Sequence, residues 1–303
     1  MKVMIAEDDR TSRFLLRSFL QKWGYEVVVA EDGDQAWQML QEADPPRLAV
    51  LDWMMPGADG PELCRRVREC EGPEADYTYL ILLTAKTETA SIVAGMEAGA
   101  DDYIVKPFDA HELQVRVRAG ERIVQLHQDL LKLKEQLQIQ ATTDPLTGIF
   151  NRRALLARME LEMARARRSR HPFTVSMLDL DHFKQVNDMH GHAAGDHVLR
   201  TFALRVRAVL REYDTLGRVG GEEFVVLVPN LSPEAADAVF ERIRLTVKKP
   251  PFDFDGVPIT VTVSQGLVTW DGTANVDELL MRADNALYAA KANGRDRVEH
   301  VRL

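Results

Sequence analysis

The chain has 303 residues, 46% of them hydrophobic and 28% charged, which suits about two domains of ordinary soluble composition. A net charge of −9 with a pI near 5.5 argues against a general nucleic-acid binder, which carries a basic surplus. No apolar run approaches the roughly 20 residues that span a bilayer, and Glu7, Asp8 and Asp9 follow the N-terminus too soon for a secretion signal. Cys64 and Cys70 lack Cys-x-x-Cys spacing and read as free thiols, so the expectation is a cytoplasmic protein without nucleic-acid or membrane partners.

From the N-terminus, apolar runs at residues 3–6, 27–30, 48–51, 80–83 and 103–105 read as strands. Helical patterns such as 12–23 and 34–43 lie between them. This alternation predicts an α/β domain with a doubly wound parallel sheet, whose ligands sit beyond the carboxyl ends of the strands. The polar residues fall at those ends: Glu7 and Asp8 after the first strand, Asp52 after the third, Thr84 after the fourth and Lys106 after the fifth. Converging carboxylates repel unless a divalent cation lies among them. A lysine and a hydroxyl alongside can hold phosphoryl oxygens, and Asp52 is then a carboxylate nucleophile. Taken singly, Asp52 reads as a turn residue, Thr84 as a helix cap and Lys106 as a solvated charge; their joint placement favours the chemistry.

Four runs carry a family likeness: Ile5-Ala6-Glu7-Asp8, Leu51-Asp52-Trp53-Met54-Met55-Pro56-Gly57, Leu83-Thr84-Ala85, and Asp102-Tyr103-Ile104-Val105-Lys106-Pro107-Phe108. Residues 1–118 resemble the receiver domain of bacterial response regulators. The resemblance implies that a histidine kinase phosphorylates Asp52. It implies one Mg²⁺ held by Asp8, Asp52 and the Met54 carbonyl, with Glu7 close by. It also implies phosphoryl contacts from Thr84 and Lys106, and an inward turn of Tyr103 on activation.

Residues 119–141 continue the last receiver helix as a linker. Ile123, Leu126, Leu130, Leu133 and Leu137 recur at spacings of three and four, the seam of a two-stranded coiled coil. Gln125, Gln128, Lys132, Gln136 and Gln140 flank this narrow stripe, which suits a partner helix better than a globular core. The expectation is a parallel homodimer stalk, with the receiver faces contributing.

Residues 142–303 form the second domain. The run Thr143-Asp144-Pro145-Leu146-Thr147-Gly148 breaks the helix, and another runs from Asn151 to about Arg170. Its Arg165, Arg167, Arg168 and Arg170 read as a solvated face, since no interleaved aromatics accompany them. A buried strand over residues 173–178 leads to Asp179. Gly220-Gly221-Glu222-Glu223-Phe224, between apolar runs, reads as a tight hairpin that brings backbone close to a ligand, although the pentapeptide alone is also a generic hairpin tip. If the two strands are neighbours, Asp179, Glu222 and Glu223 form an acidic cluster for one or two Mg²⁺ ions in phosphoryl transfer. Asn187 offers a donor and an acceptor while Asp196 only accepts, which suits the N–H donors on the Watson–Crick edge of guanine. Lys184, Lys291 and Arg295 are candidate phosphate contacts. A zinc site at His182, His190, His192 and His197 is disfavoured by the absence of a cysteine and by the spacing.

This domain resembles a GGDEF diguanylate cyclase, an α+β palm-like fold with a mainly antiparallel central sheet. The likeness rests on Asp144-Pro145-Leu146-Thr147-Gly148, Asn151-Arg152-Arg153, Asp179-Leu180-Asp181-His182-Phe183-Lys184, Asn187-Asp188, Gly191-His192, Gly195-Asp196, the GGEEF loop, and Ala283-Asp284 through Tyr288, Lys291, Gly294 and Arg295. It implies condensation of two GTP into cyclic di-GMP across a homodimer. Mg²⁺ would be held by Asp179, the Leu180 carbonyl, Glu222 and Glu223, with Glu222 taking the 3′-hydroxyl proton. Asn187 and Asp196 would read guanine; His192, Lys184, Lys291 and Arg295 would serve ribose and phosphates. Arg211 and Asp214, with five residues between Asp214 and Gly220 and supported by Arg242, resemble the family's product-inhibition site. The competing expectations are a silent cyclic di-GMP receptor, disfavoured by the intact acids, and an adenine-containing product, disfavoured by Asp196.

Overall fold

The computed structural model describes all residues except 73–76, 86–88, 170, 232, 271 and 302–303, with backbone alone at 89–91 and 233–234. Arg170 of the arginine-rich stretch therefore lies outside the described residues. The chain divides into two units, Met1–Gln136 and Leu137–Leu303.

The first unit alternates β1 (Lys2–Ala6), α1 (Arg10–Lys22), β2 (Glu26–Ala30), α2 (Gly33–Leu40), β3 (Leu48–Asp52), α3 (Gly60–Cys70), β4 (Tyr79–Thr84), α4 (Thr89–Glu97) and β5 (Asp102–Val105). The strands pair in parallel in the order β2-β1-β3-β4-β5. Every residue of β3 and β4 is buried, as befits strands covered by helices on both faces. Asp9, Asp32 and Asp59 each accept the N–H three residues on and so start α1, α2 and α3. The strand order reverses between β1 and β3, which opens a crevice at the carboxyl ends where Glu7, Asp8 and Asp52 lie.

Helix α5 (Ala110–Thr142) runs unbroken for 33 residues. Leu113, Val117, Gly120 and Val124 are buried on the sheet. Further along, Leu126, Leu130, Leu133 and Leu137 are 53–62% exposed, so the seam read from the sequence is an open apolar stripe.

The second unit runs β6 (Phe150–Asn151), α6 (Arg152–Ser169), β7 (Phe173–Leu180), α7 (Phe183–His190), α8 (His192–Val209), β8 (Thr215–Gly220), β9 (Glu223–Pro229), α9 (Pro233–Lys248), β10 (Phe252–Phe254), β11 (Val257–Ile259), β12 (Val263–Thr269), α10 (Val276–Ala292) and β13 (Val298–Val301). Its six-stranded sheet has the order β13-β12-β7-β9-β8-β6. The three central pairings are antiparallel and the two outer ones parallel. Strand alternation sorts β9 between two cores. Phe224, Val226 and Val228 pack with Phe202 and Phe240, whereas Val225 and Leu227 pack with Leu155, Met159 and Leu287.

β7 extends two residues beyond the run predicted from apolarity, so Asp179 is paired within the strand rather than lying past its end. Phe224 follows the acidic hairpin, is fully buried, and stacks at a tilt on Phe202 with ring centroids 4.5 Å apart. Replacing it by alanine should leave a cavity that the sheet cannot close. Phe224→Ala is expected to lose about 4 kcal/mol in urea unfolding of the second unit, against under about 1.5 kcal/mol for Phe224→Leu.

Candidate active site

The acidic site of the second unit is set by strand register. Asp179 of β7 is the direct cross-strand partner of Glu223 on β9, so both side chains leave the same face of the sheet. Glu222 lies at the tip between β8 and β9, where Gly221 has φ of +49°, a backbone that a side chain disfavours. Arg218 braces that tip: its Nε and an amino nitrogen donate to the Gly221 carbonyl at 2.9 and 2.7 Å, and its other amino nitrogen donates to Asp144 at 3.1 Å. Asp144 in turn accepts from the backbone and hydroxyl of Thr147, so the break after α5 and the acidic hairpin are tied by one ion pair.

The charges in this site oppose one another. Burial raises the pKa of Asp179 above the ordinary carboxylate value, although Lys291 Nζ from α10 bonds its Oδ2 at 2.8 Å and Arg295 is near enough to pull the other way. Burial also raises Glu222, and the Asp179 charge pushes it further, opposed by Lys291 and reinforced by Glu223. Two shifted carboxylates and a third across the strand form a hard-oxygen set suited to Mg²⁺. Asp179, Glu222, Glu223 and the Leu180 carbonyl offer oxygen donors alone, the kind that Mg²⁺ takes.

The guanine candidates come from consecutive helices. Asn187 is on α7 and Asp196 near the start of α8, both half-buried. Gly195 permits this approach: a Cβ there would lie 1.9 Å from Asn187 Oδ1. Asp196 faces Arg200 one turn on at 3.9 Å, a loose surface pair. Lys184 and His192 are exposed on α7 and α8, and Arg295 is exposed beyond α10.

Away from these groups, Arg211 and Asp214 share the turn between α8 and β8. The Arg211 N–H donates to Asp214 Oδ2 at 2.8 Å, and its guanidinium donates to the Tyr213 hydroxyl at 2.7 Å. Asp214 is buried, and burial raises its pKa against the Arg211 N–H and the charges of Arg211, Arg207 and Arg242. Among the described residues its Oδ1 finds no hydrogen-bond partner. Arg242 of α9 donates to the Val209 carbonyl at 3.2 Å, which brings it to the same turn.

In the first unit, Glu7, Asp8 and Asp52 offer carboxylate oxygens that all lie within 4.8 Å of one another. Lys106 Nζ bridges Glu7 at 2.7 Å and Asp52 at 2.8 Å. Burial raises the Glu7 pKa; Lys106 opposes that and Asp52 adds to it. Thr84 is buried at the end of β4, Met54 is exposed after β3, and Tyr103 is half-buried against the core cluster that includes Leu82. These oxygens also suit one Mg²⁺, with Asp52 close to Lys106.

Residues 141–297 match the family described as diguanylate cyclase, GGDEF domain, and residues 3–118 match the response regulator receiver domain. The chain is 41% identical over 224 residues to diguanylate cyclase DgcP of Pseudomonas aeruginosa, an alignment that covers 72% of this chain and 33% of that protein. It is 38% identical over 276 residues to response regulator PleD of Caulobacter vibrioides, covering 89% of this chain and 60% of PleD. The chain thus spans about a third of one relative and three-fifths of the other. Among solved structures, the coiled coil and GGDEF domain of DgcB from Caulobacter crescentus, in complex with c-di-GMP, superposes with a TM-score of 0.57 at 30% identity, covering 62% of this chain and 99% of that one. Diguanylate cyclase SiaD from Pseudomonas aeruginosa, in complex with its activator SiaC, gives 0.53 at 38% identity, covering 63% and 74%.

Removing one charge from the Asp179–Glu222–Glu223 group relieves its repulsion. Glu222→Gln is expected to melt above the wild-type chain in EDTA near neutral pH, by calorimetry. Because the folded pKa values of Asp179 and Glu222 are raised, the folded chain takes up these protons before the unfolded chain does. Wild-type stability in EDTA should therefore rise as pH falls from neutral through those values towards about 4, and rise less in Glu222→Gln.

Proposed function

The chain belongs to the GGDEF diguanylate cyclase family and carries a response regulator receiver domain ahead of its cyclase domain, and from this we propose that it condenses two GTP into cyclic di-GMP under the control of Asp52 phosphorylation. The observation that carries the reading is the register of Asp179 against Glu223, with Glu222 at the adjoining tip. Two acids on adjacent central strands and a third at the adjoining tip are costly to hold together and suit a cation-bearing substrate.

In this reading Asn187 and Asp196 take the guanine edge, and Lys184, Lys291 and Arg295 answer the triphosphate charge. Asp179, Glu222, Glu223 and the Leu180 carbonyl hold Mg²⁺, which when bound neutralises the triphosphate and acidifies the 3′-hydroxyl. Glu222, at the tip beside Asp179 and Glu223, takes the 3′-hydroxyl proton. The freed oxygen forms a bond to the partner nucleotide's α-phosphorus, the bond to the β-phosphate bridging oxygen breaks, and pyrophosphate leaves. A second, mirrored attack closes the ring. Each domain supplies one GTP, so two copies must face each other, and that orientation supplies much of the acceleration. The open leucine stripe of α5 supports a paired helix between copies.

Phosphorylation at Asp52 adds charge beside Lys106, Glu7 and Thr84. A histidine kinase supplies the phosphoryl group, one Mg²⁺ is held by Asp8, Asp52 and the Met54 carbonyl, and Tyr103 reports the change by turning inward. Product feedback is assigned to Arg211, Asp214 and Arg242. An exposed donor guanidinium at Arg211, with the acid Asp214 and Arg242 at the same turn, supports recognition of a guanine edge there.

Incubation with GTP, Mg²⁺ and beryllofluoride tests the reading by chromatography of the products. Cyclic di-GMP should form and beryllofluoride should accelerate it several-fold; a chain that consumes no GTP under both conditions is not a cyclase. Asp52→Asn should keep the basal rate and lose the acceleration. Arg211→Ala should turn over as the wild type does at the outset and then escape inhibition by added cyclic di-GMP, and inhibition at the wild-type concentration would remove Arg211 from the feedback site.

A further inference from the structure

Asp181 and Asp296 lie beside the acidic site without belonging to the sets assigned above. Asp181 is buried and fully used: Ser264 Oγ donates to its Oδ1 at 2.6 Å, and Thr262 Oγ1 and the Asp296 N–H donate to its Oδ2 at 2.7 and 3.0 Å. It therefore serves as an internal acceptor, with its oxygens already taken. The Asp296 side chain is gripped by α9, where Arg244 bonds one oxygen and Lys248 Nζ the other at 2.6 Å. Burial disfavours the Asp296 charge, yet the hydrogen bonds from Lys248 and Arg244 hold its pKa below the ordinary value. Arg244 is itself fixed by two bonds to Glu241.

The backbone beside Asp296 explains what this grip is for. After α10 ends, Gly294, Arg295 and Asp296 all have positive φ, at +111°, +60° and +45°. Glycine takes such a conformation freely; a non-glycine residue there costs about 1 kcal/mol or more and persists only where the surroundings over-determine it. Here they do, through the side chain of Asp296 on α9, its N–H on Asp181, and the Arg297 carbonyl on the Gln265 N–H at 2.9 Å. The residue in the middle of the run, Arg295, is left exposed with its charge felt at Asp179.

We infer that Asp296 is a positioning residue for GTP: clamped between α9 and Asp181, it holds Arg295 in a left-handed turn that presents the guanidinium to the triphosphate beside Asp179. The inference rests on the cyclase reading above. An arginine on an exposed turn would otherwise lose rotational and backbone freedom on meeting phosphate, and the clamp removes part of that cost in advance. Arg295 touches substrate; Asp296 acts only through it.

Equilibrium binding of 3′-deoxy-GTP with Mg²⁺, which lacks the attacking hydroxyl, tests this by calorimetry on the full chain. Arg295→Ala and Asp296→Ala are each expected to weaken binding about tenfold, and the double variant should bind no more weakly than Arg295→Ala. That non-additivity is the signature of action through Arg295, which a general loss of stability does not produce. Wild-type affinity in Asp296→Ala, or a double variant weakened by the product of the two factors, overturns the inference. Should Asp296→Ala melt below the assay temperature, Lys248→Ala takes its place, expected about threefold weaker alone and without effect on top of Arg295→Ala; the opposite result overturns the inference equally. A wild-type chain that binds no 3′-deoxy-GTP instead removes the cyclase reading on which this rests.

Discussion

Like charges held together against their repulsion are the constraint on which both units depend. In the second unit, hydrogen-bonded pairing of β7 with β9 sets Asp179 opposite Glu223, with Glu222 at the adjoining tip. In the first, the reversal of strand order between β1 and β3 brings Glu7, Asp8 and Asp52 to one mouth. Each cluster is met by a lysine from elsewhere in the chain, Lys291 on α10 and Lys106 after β5. An ammonium at one oxygen neutralises part of the charge and leaves other lone pairs free for a harder cation. The fold thus carries local destabilisation at the places where it does chemistry, and the apolar layers on both faces of each sheet hold it in place.

The supports of the second site reach further than its acids. Arg218 ties the hairpin tip to Asp144, and Gly195 lets Asn187 lie close against the helix that carries Asp196. Asp296 ties the turn of Arg295 to α9. In each case a charged or minimal side chain fixes backbone beside a residue that the proposed function assigns to metal or substrate. Helix α9 also carries Arg242, so the element that grips Arg295's turn extends to the turn of Arg211 and Asp214.

Most of the strands and helices were legible because their signals are local. The apolar runs of β1 to β5 and the leucine spacing of α5 each occupy a short local stretch. The acids of both sites were legible because they end or adjoin such runs. The apolar run stopped at residue 178, yet pairing carries β7 to Leu180, since Asp179 and Leu180 are held by neighbours that the run itself does not contain. The same limit hid Asp181, Thr262, Ser264, Arg244, Lys248 and Asp296, whose contacts span up to 115 positions. A lone aspartate after a glycine-arginine pair carries no signal of what it bonds to. The hold of Arg218 on Gly221 is closer in sequence, and a basic residue three before a glycine turn is a cue that could have exposed it.

The bare stripe of leucines on α5 has a consequence for abundance. A catalyst that is complete only when two copies meet works at a rate that grows faster than its concentration when the protein is scarce, and levels off to simple proportion once pairing saturates. Under the proposed pairing and phosphorylation control, the number of chains a cell makes becomes an input in its own right, setting a threshold below which a phosphoryl signal finds too few encounters to matter.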